Sequence, residues 1–160
     1  MSVSSLDLFA GAGGFSLGLE MAGISALSAV EVDRFAAETY KTNFPHANVH
    51  EKDIVDFSDK EILSKFPKVD VIVGGPPCQG FSVSGPSQYG IIDKRNGLIF
   101  EFVRFVSLLK PKVCVIENVR GILHGKLSKK DKVVPAVEAA LHKLGYDTSI
   151  HTLFAADYGV

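Results

Sequence analysis

Two side chains in this sequence have both the chemistry and the setting to act together on a substrate: the thiol of Cys78 and the carboxyl of Glu117. Cys78 stands in Gly74-Gly-Pro-Pro-Cys-Gln-Gly-Phe-Ser82, directly after the apolar run Val69-Asp-Val-Ile-Val73. That run reads as a short buried strand, and the glycines and prolines after it forbid both helix and further ladder pairing. The thiol is therefore displayed on a stiff turn at a strand's carboxyl end, where open α/β sheets place their chemistry. Most single cysteines are inert, buried and small, and Cys114 inside Val113-Cys-Val-Ile116 fits that description. Cys78 does not, and it reads as a nucleophile. With an ordinary thiol pKa near ~8.5 it needs a base, a cation or a helix terminus to reach the thiolate.

Glu117 opens Glu117-Asn-Val119 at the carboxyl end of the next apolar run. A carboxyl there is suited to structural capping or, if partly desolvated, to holding a proton for donation at neutral pH. A nucleophile on the adjacent strand tip favours acid catalysis. Between the two runs from Pro77 to Gly97 a glycine- and serine-rich stretch, with Gln79, Ser82, Lys94 and Arg95, has the length of a lid or binding loop. Lys94 and Arg95 suit either phosphate contacts or a solvated surface.

The elements that position these groups alternate. Val3 to Phe9 reads as a first strand, Ala10-Gly-Ala-Gly-Gly14 as a glycine turn, and Phe15 to Met21 as a helix closed by Gly23. A second strand is expected over Ala26 to Val32, with Asp33 capping a helix over Arg34 to Thr42. A third, short strand at Asn48 to His50 is followed by a turn holding Asp53 and a helix near Ser58 to Lys65. After strand four (Val69 to Val73), a helical stripe runs from Asn96 to Leu109 and ends at Lys110-Pro111. Strand five spans Val113 to Glu117, a helix covers Lys132 to Leu144 before Gly145, and Thr148 to Ala155 reads as strand six. The alternation predicts an α/β fold, a doubly wound and mostly parallel sheet of about six strands.

In this frame the first strand, glycine turn and helix form a nucleotide-cradling unit. Ser16 replaces the third glycine of a dinucleotide fingerprint, which makes the turn a weak signal alone. Glu31, at the tip of strand two and roughly 20 residues on, suits a grip on two ribose hydroxyls or a plain strand-end charge. Asp53 suits a turn cap or an acceptor for an adenine amino group. Together these three features at successive strand ends point to a nucleoside cofactor. A pyrophosphate-bearing dinucleotide stays open, although no hydride-transfer site accompanies it.

Length and composition fit one domain: 160 residues, 46% apolar, 22% charged. A net charge of −1 supplies no general basic field, so a nucleic-acid partner would need a local patch or a second polypeptide. Two cysteines make no disulfide framework, and the start carries neither a basic n-region nor a long apolar h-region. The expected location is cytoplasmic, with nucleoid association in a bacterium or a nuclear site in a eukaryote. No apolar run approaches a membrane span. The charge run Lys126 to Lys132 reads as a solvated loop. His46 and His50 lack a shared helical face and a nearby third ligand, so no metal is expected.

These residues in this order resemble the cytosine-C5 DNA methyltransferases. The resemblance rests on Asp7-Leu-Phe-Ala-Gly-Ala-Gly-Gly-Phe-Ser-Leu-Gly18, Glu31-Val-Asp33, Asp53-Ile54, Gly75-Pro-Pro-Cys-Gln-Gly-Phe-Ser82, Arg95-Asn96 and Glu117-Asn-Val119, and it covers essentially the whole chain. It implies a Rossmann-like catalytic domain over 1–160 that transfers a methyl group from S-adenosylmethionine to C5 of a flipped cytosine in double-stranded DNA. By that likeness Cys78 adds to C6 and Glu117 engages N3. Phe9, Gly11, Gly13, Glu31, Val32, Asp53 and Ile54 match cofactor-contacting positions, Pro77 lines the site, and Asn118 supports the Cys78 loop. The family continues past Asp157-Tyr-Gly-Val160 into an arginine-bearing segment, a further strand between strands five and six, and a target-recognition region. The expectation is therefore a partial catalytic domain, incomplete at its C-terminal end, with a missing segment or a second subunit as partner. The alternatives are a remnant that binds S-adenosylmethionine or a partner without catalysis, and the same chemistry on transfer RNA, which one branch of the family performs.

Overall fold

Short segments of four to seven residues alternate with amphipathic ones, and each becomes a strand of one parallel sheet. The computed structural model describes residues 3–77, 97–127 and 131–159. The strands are β1 (Ser4–Leu8), β2 (Ser25–Glu31), β3 (Asn48–Glu51), β4 (Val71–Gly74) and β5 (Val113–Ile116). They lie in the order β3-β2-β1-β4-β5, and every pairing is parallel. The helices are α1 (Gly14–Met21), α2 (Arg34–Asn43), α3 (Asp59–Lys65), α4 (Leu98–Leu109) and α5 (Val133–Lys143).

The sheet is doubly wound because its two faces are buried by different helices. Leu6, Leu8, Val30 and Ile72 point into one apolar core with Ile62 of α3, Phe102, Phe105 and Val106 of α4, and Val133 and Leu141 of α5. On the opposite face Ala29 packs with Tyr40 of α2 and with Phe44, which closes that helix. The strands follow period-2 alternation, so Asp7, between Leu6 and Leu8, is turned toward α1 and α2.

Local chemistry sets the ends of these elements. Asp33 caps α2 by accepting from the Ala36 N–H, and Ser58 with Glu61 forms a complete capping box on α3. Gly23 and Gly145 terminate α1 and α5 in left-handed conformation. Strand four starts later than its apolar run: Asp70 accepts from the Ser4 N–H and pairs with Lys112 at 2.7 Å.

The expected sixth strand does not form. Residues 147–154 have no regular structure and lead into a 3₁₀ turn at Ala155–Tyr158. The alternating pattern of Thr148 to Ala155 joins no ladder: among the described residues β5 pairs with β4 alone, and its outer edge is separated from this segment by a cavity of about 880 Å³. Val113 and Val115 of β5 and Ile150, Leu153 and Phe154 beyond the cavity are consequently exposed. Among the described residues the sheet has five strands, not the expected six, and the outer edge of β5 is left without a partner strand.

Candidate active site

An all-parallel sheet brings every strand-to-helix connection to one edge. The chain winds outward from β1 to β3 and then returns to the other side of β1 for β4. The crevice between the connections after β1 and β4 is thus the topological switch point, the place where such sheets bind ligands.

The connection after β1 is the glycine turn. Phe9 (φ 58°), Gly11 (φ 55°) and Gly13 (φ 99°) all lie in the left-handed region. Gly13 needs its missing side chain as well, since a Cβ there would run into the Phe44 ring. A Cβ on Gly11 or Gly14 would meet nothing within 4 Å, so the upper surface of the turn faces open space. Glu31 reaches across from the tip of β2: its Oε2 accepts from the Gly11 N–H at 2.7 Å and its Oε1 from the Asp33 N–H at 2.7 Å. Both oxygens are therefore aimed by backbone, and each retains a lone pair for a hydroxyl donor. Neither of the two sequence-based alternatives for Glu31 included this bracing role.

Asp53, in the turn after β3, caps the 3₁₀ segment Ile54–Asp56 by accepting from the Val55 N–H at Oδ1 (3.1 Å). The capping alternative is thus realised, and Oδ2 remains available to a ligand. Ile54 is buried in the main core, while Val32 and Val55 beside the two carboxylates are exposed and offer apolar surface to a planar ring.

On the other side of the switch point, the exit of β4 is held by β5. Glu117 N–H donates to the Gly74 carbonyl at 3.0 Å, and the Asn118 side-chain amide donates to the Pro76 carbonyl at 3.0 Å. Gly74 is required there, because a Cβ would approach the Leu8 carbonyl oxygen to 2.6 Å. The Glu117 carboxylate lies against Gly75, where its Oε2 would be 3.2 Å from an added Cβ. Glu117 is exposed, which departs from the desolvated environment expected for it. Pro77 is exposed at the end of the described segment that carries β4. Cys78, Gln79, Ser82, Lys94 and Arg95 lie outside the described residues. Cys114 is half-buried on β5, and burial pushes its thiol pKa up, as suits an unreactive cysteine.

One cluster escaped the sequence reading. Asp7, 1% exposed, accepts a hydrogen bond from the Ser16 hydroxyl at 2.8 Å, and Ser16 Oγ is also 2.6 Å from the Tyr40 hydroxyl. Burial, outweighing the Ser16 hydrogen bonds, pushes the Asp7 carboxyl up to about 7, with Glu31 adding in the same direction. Burial likewise raises the Tyr40 hydroxyl. The three side chains tie β1, α1 and α2 together beneath the glycine turn. Ser16, which spoils the glycine fingerprint, is the hinge of this tie. The signal was a carboxylate inside the apolar run Leu6-Asp-Leu8.

The two histidines are occupied structurally. His46 pairs with Glu20 at 2.7 Å, and His50 packs on Phe66 with ring centroids 4.5 Å apart. No described helix is long and apolar enough to cross a membrane.

Comparison with known proteins places this geometry in context. Residues 3–160 match the family described as C-5 cytosine-specific DNA methylase. The chain is 43% identical over 155 residues to the type II methyltransferase M.DdeI of Desulfomicrobium norvegicum, covering 97% of this chain and 37% of that protein. It is 43% identical over 164 residues to M1.HphI of Haemophilus parahaemolyticus (100% and 43%), and 36% identical over 169 residues to M.AquIA of a Picosynechococcus (100% and 68%). Among solved structures, one assigned as a DNA modification methyltransferase encoded within an E. coli prophage matches at TM-score 0.72 and 35% identity, over 89% of this chain and 38% of that one. A Spodoptera frugiperda DNMT2 variant matches at TM-score 0.66 and 25% identity, over 89% and 41%. The chain thus spans about two-fifths of the length of M.DdeI and M1.HphI.

Proposed function

The chain belongs to the C-5 cytosine-specific DNA methylase family, and from that premise we propose that it carries the methyl-donor cleft and covalent nucleophile of an enzyme that methylates cytosine at C5 in double-stranded DNA. The supporting observation is the gathering of three groups on one edge of the sheet: Glu31 braced on Gly11, Asp53 braced on Val55, and Glu117-Asn118 tied to the exit of β4. The donor set fits S-adenosylmethionine. Two oriented carboxylates suit ribose hydroxyls and a base amino group, and open space above Gly11 leaves room for close approach.

When bound, S-adenosylmethionine supplies a methyl group on a positively charged sulfur. Glu31 would receive the ribose hydroxyls, Asp53 would accept from the base amino group, and Val32 and Val55 would flank the ring, while Phe9, Gly11 and Gly13 shape the floor. Ile54, matched to a cofactor-contacting position by its sequence, is instead buried in the main core and seats the Asp53 turn from below. The Cys78 thiolate adds to C6 of a cytosine that has left the stack. Glu117 hydrogen-bonds or protonates N3, so electron density rises at C5. C5 would then be the carbon that takes the methyl group the bound cofactor supplies. Loss of the C5 proton to base and departure of the thiolate from C6 restore the aromatic ring and free Cys78. Asn118 holds the strand exit two residues before Cys78, Pro77 would line the base pocket, and Gln79, Ser82, Lys94 and Arg95 are assigned by their sequence positions to contact with nucleic acid.

The edge of β5 that is unpaired among the described residues, and the cavity beside it, support the reading that further polypeptide, in this chain or another, completes the sheet and supplies the grip on DNA. Methyl-label transfer from S-adenosylmethionine tests the reading, using this chain with a completing polypeptide on duplex DNA and on transfer RNA. Label at cytosine C5 of DNA supports it. Label on RNA alone shifts the substrate, and no label on either leaves a binding remnant.

A further inference from the structure

We propose that Arg104 is a positioning residue for the cofactor's base, acting from α4 through the Asp53 turn. This rests on the reading of Asp53 as the base-contacting carboxylate. Arg104 is an unusual residue for the face of a helix, because its guanidinium serves groups 45 to 50 residues away in the chain. Nη1 donates to the Phe57 carbonyl at 2.9 Å and to Asp59 Oδ1 at 2.9 Å. Nη2 donates to the Ile54 carbonyl at 3.2 Å, and Nε donates to Glu101 Oε2 at 2.7 Å. The carbonyls so engaged belong to the residue directly after Asp53 and to the one that closes its 3₁₀ turn.

The clamp is set in an environment that strengthens it. The Arg104 side chain is 26% exposed, and its guanidinium carbon lies 5.8 Å from the Phe105 ring centroid. Phe105 packs edge-on against Phe57 (5.9 Å) and Phe66 (5.4 Å), so the same aromatic cluster seats both the turn and the helix that holds it. Glu101, one helical turn before Arg104, fixes the guanidinium plane. A planar fork can reach two carbonyls and two carboxylates in different directions, whereas an ammonium offers three donors from one point. Asp53 Oδ1 is occupied by Val55 N–H, so the direction of Oδ2 is set by where the turn sits, and Arg104 sets that position.

The test is a double-substitution cycle read by calorimetric binding of S-adenosylhomocysteine, with thermal melting of each free protein alongside. The four proteins are the unsubstituted chain, Arg104→Lys, Asp53→Ala and the double variant. Asp59→Ala serves as a milder lesion that removes one arm of the clamp. Arg104→Lys is expected to weaken binding about tenfold in the parent background, since small misplacements of positioning groups cost on this scale, and to have little further effect once Asp53 is gone. Asp59→Ala is expected to move affinity in the same direction by less. Equal weakening in both backgrounds, or a lower melting temperature with unchanged affinity, would overturn the proposal and make Arg104 a plain structural residue. Absence of binding by the unsubstituted chain would overturn the cofactor reading itself.

Discussion

Asp7→Asn should alter the pH dependence of stability in a direction opposite to that of most carboxylate substitutions. In the folded protein the Asp7 carboxyl is enclosed by β1, α1 and α2, accepts from the side chain and backbone of Ser16, and lies near Tyr40 and the Glu31 carboxylate. Its pKa is pushed up to about 7, against an ordinary value near ~4 in an unfolded chain. Below about pH 4 both states carry the proton and nothing is gained or lost. Between about pH 4 and 7 the folded state keeps the proton that the unfolded state releases, so stability falls as pH rises, and above pH 7 the loss is complete. At about 1.4 kcal/mol per pH unit, the full cost at pH 8 is about 4 kcal/mol. Asparagine retains an acceptor for Ser16 and cannot ionise, so it escapes this slope. Urea unfolding of both proteins from pH 4 to pH 8 isolates the effect, because all other titrating groups are shared. The unsubstituted protein should lose up to about 4 kcal/mol relative to Asp7→Asn across that range. A stability difference that stays constant with pH would refute the assignment of Asp7 as a neutral carboxyl.

Other perturbations separate the roles of neighbouring groups. Gly13→Ala forces a Cβ into Phe44 at a left-handed φ and should lower stability by about 1–3 kcal/mol, whereas Gly14→Ala, in open space at the start of α1, should be neutral or mildly stabilising; thermal melts of the two decide. Glu31→Gln places an amide N–H against one of two backbone donors and should cost about 1–3 kcal/mol of stability, together with weaker S-adenosylhomocysteine binding in a titration. Phe102→Ala empties the middle of the core and should cost about 3–5 kcal/mol in denaturant unfolding. Asn118→Ala releases the Pro76 carbonyl and should slow covalent capture of DNA at Cys78 while leaving cofactor affinity unchanged, measured by trapping rate beside calorimetry.

The first five strands and the five described α-helices were legible because each declares itself locally. Val71 to Gly74 and Val113 to Ile116 are short apolar runs, Asp33 and Ser58 are capping residues in capping positions, and Gly23 and Gly145 stand where left-handed termini are needed. Strand six failed for the complementary reason: a strand is a relation between two segments, and Thr148 to Ala155 carries the pattern without the partner. Glu31 could be picked out by its spacing from the glycine turn and Asp53 by its place after the third strand, yet their bracing by Gly11 and Val55 depends on atoms brought together only by folding. Arg104 was invisible for the same reason. On the helical stripe of α4 it reads as an exposed charge, and nothing in its neighbourhood announces the carbonyls of Ile54 and Phe57.

The central claim, that this chain holds the nucleophile of a cytosine-C5 methyl transfer, is tested most directly by covalent capture. The chain, a completing polypeptide, S-adenosylmethionine and duplex DNA bearing 5-fluorocytosine are combined, and the protein is digested and analysed by mass spectrometry. Fluorine at C5 cannot leave as a proton does, so the adduct at C6 should persist. The account predicts a methylated 5-fluorocytosine nucleotide attached to the peptide containing Cys78, and none with Cys78→Ala. An adduct on another residue, or methyl transfer that continues in Cys78→Ala, would contradict it.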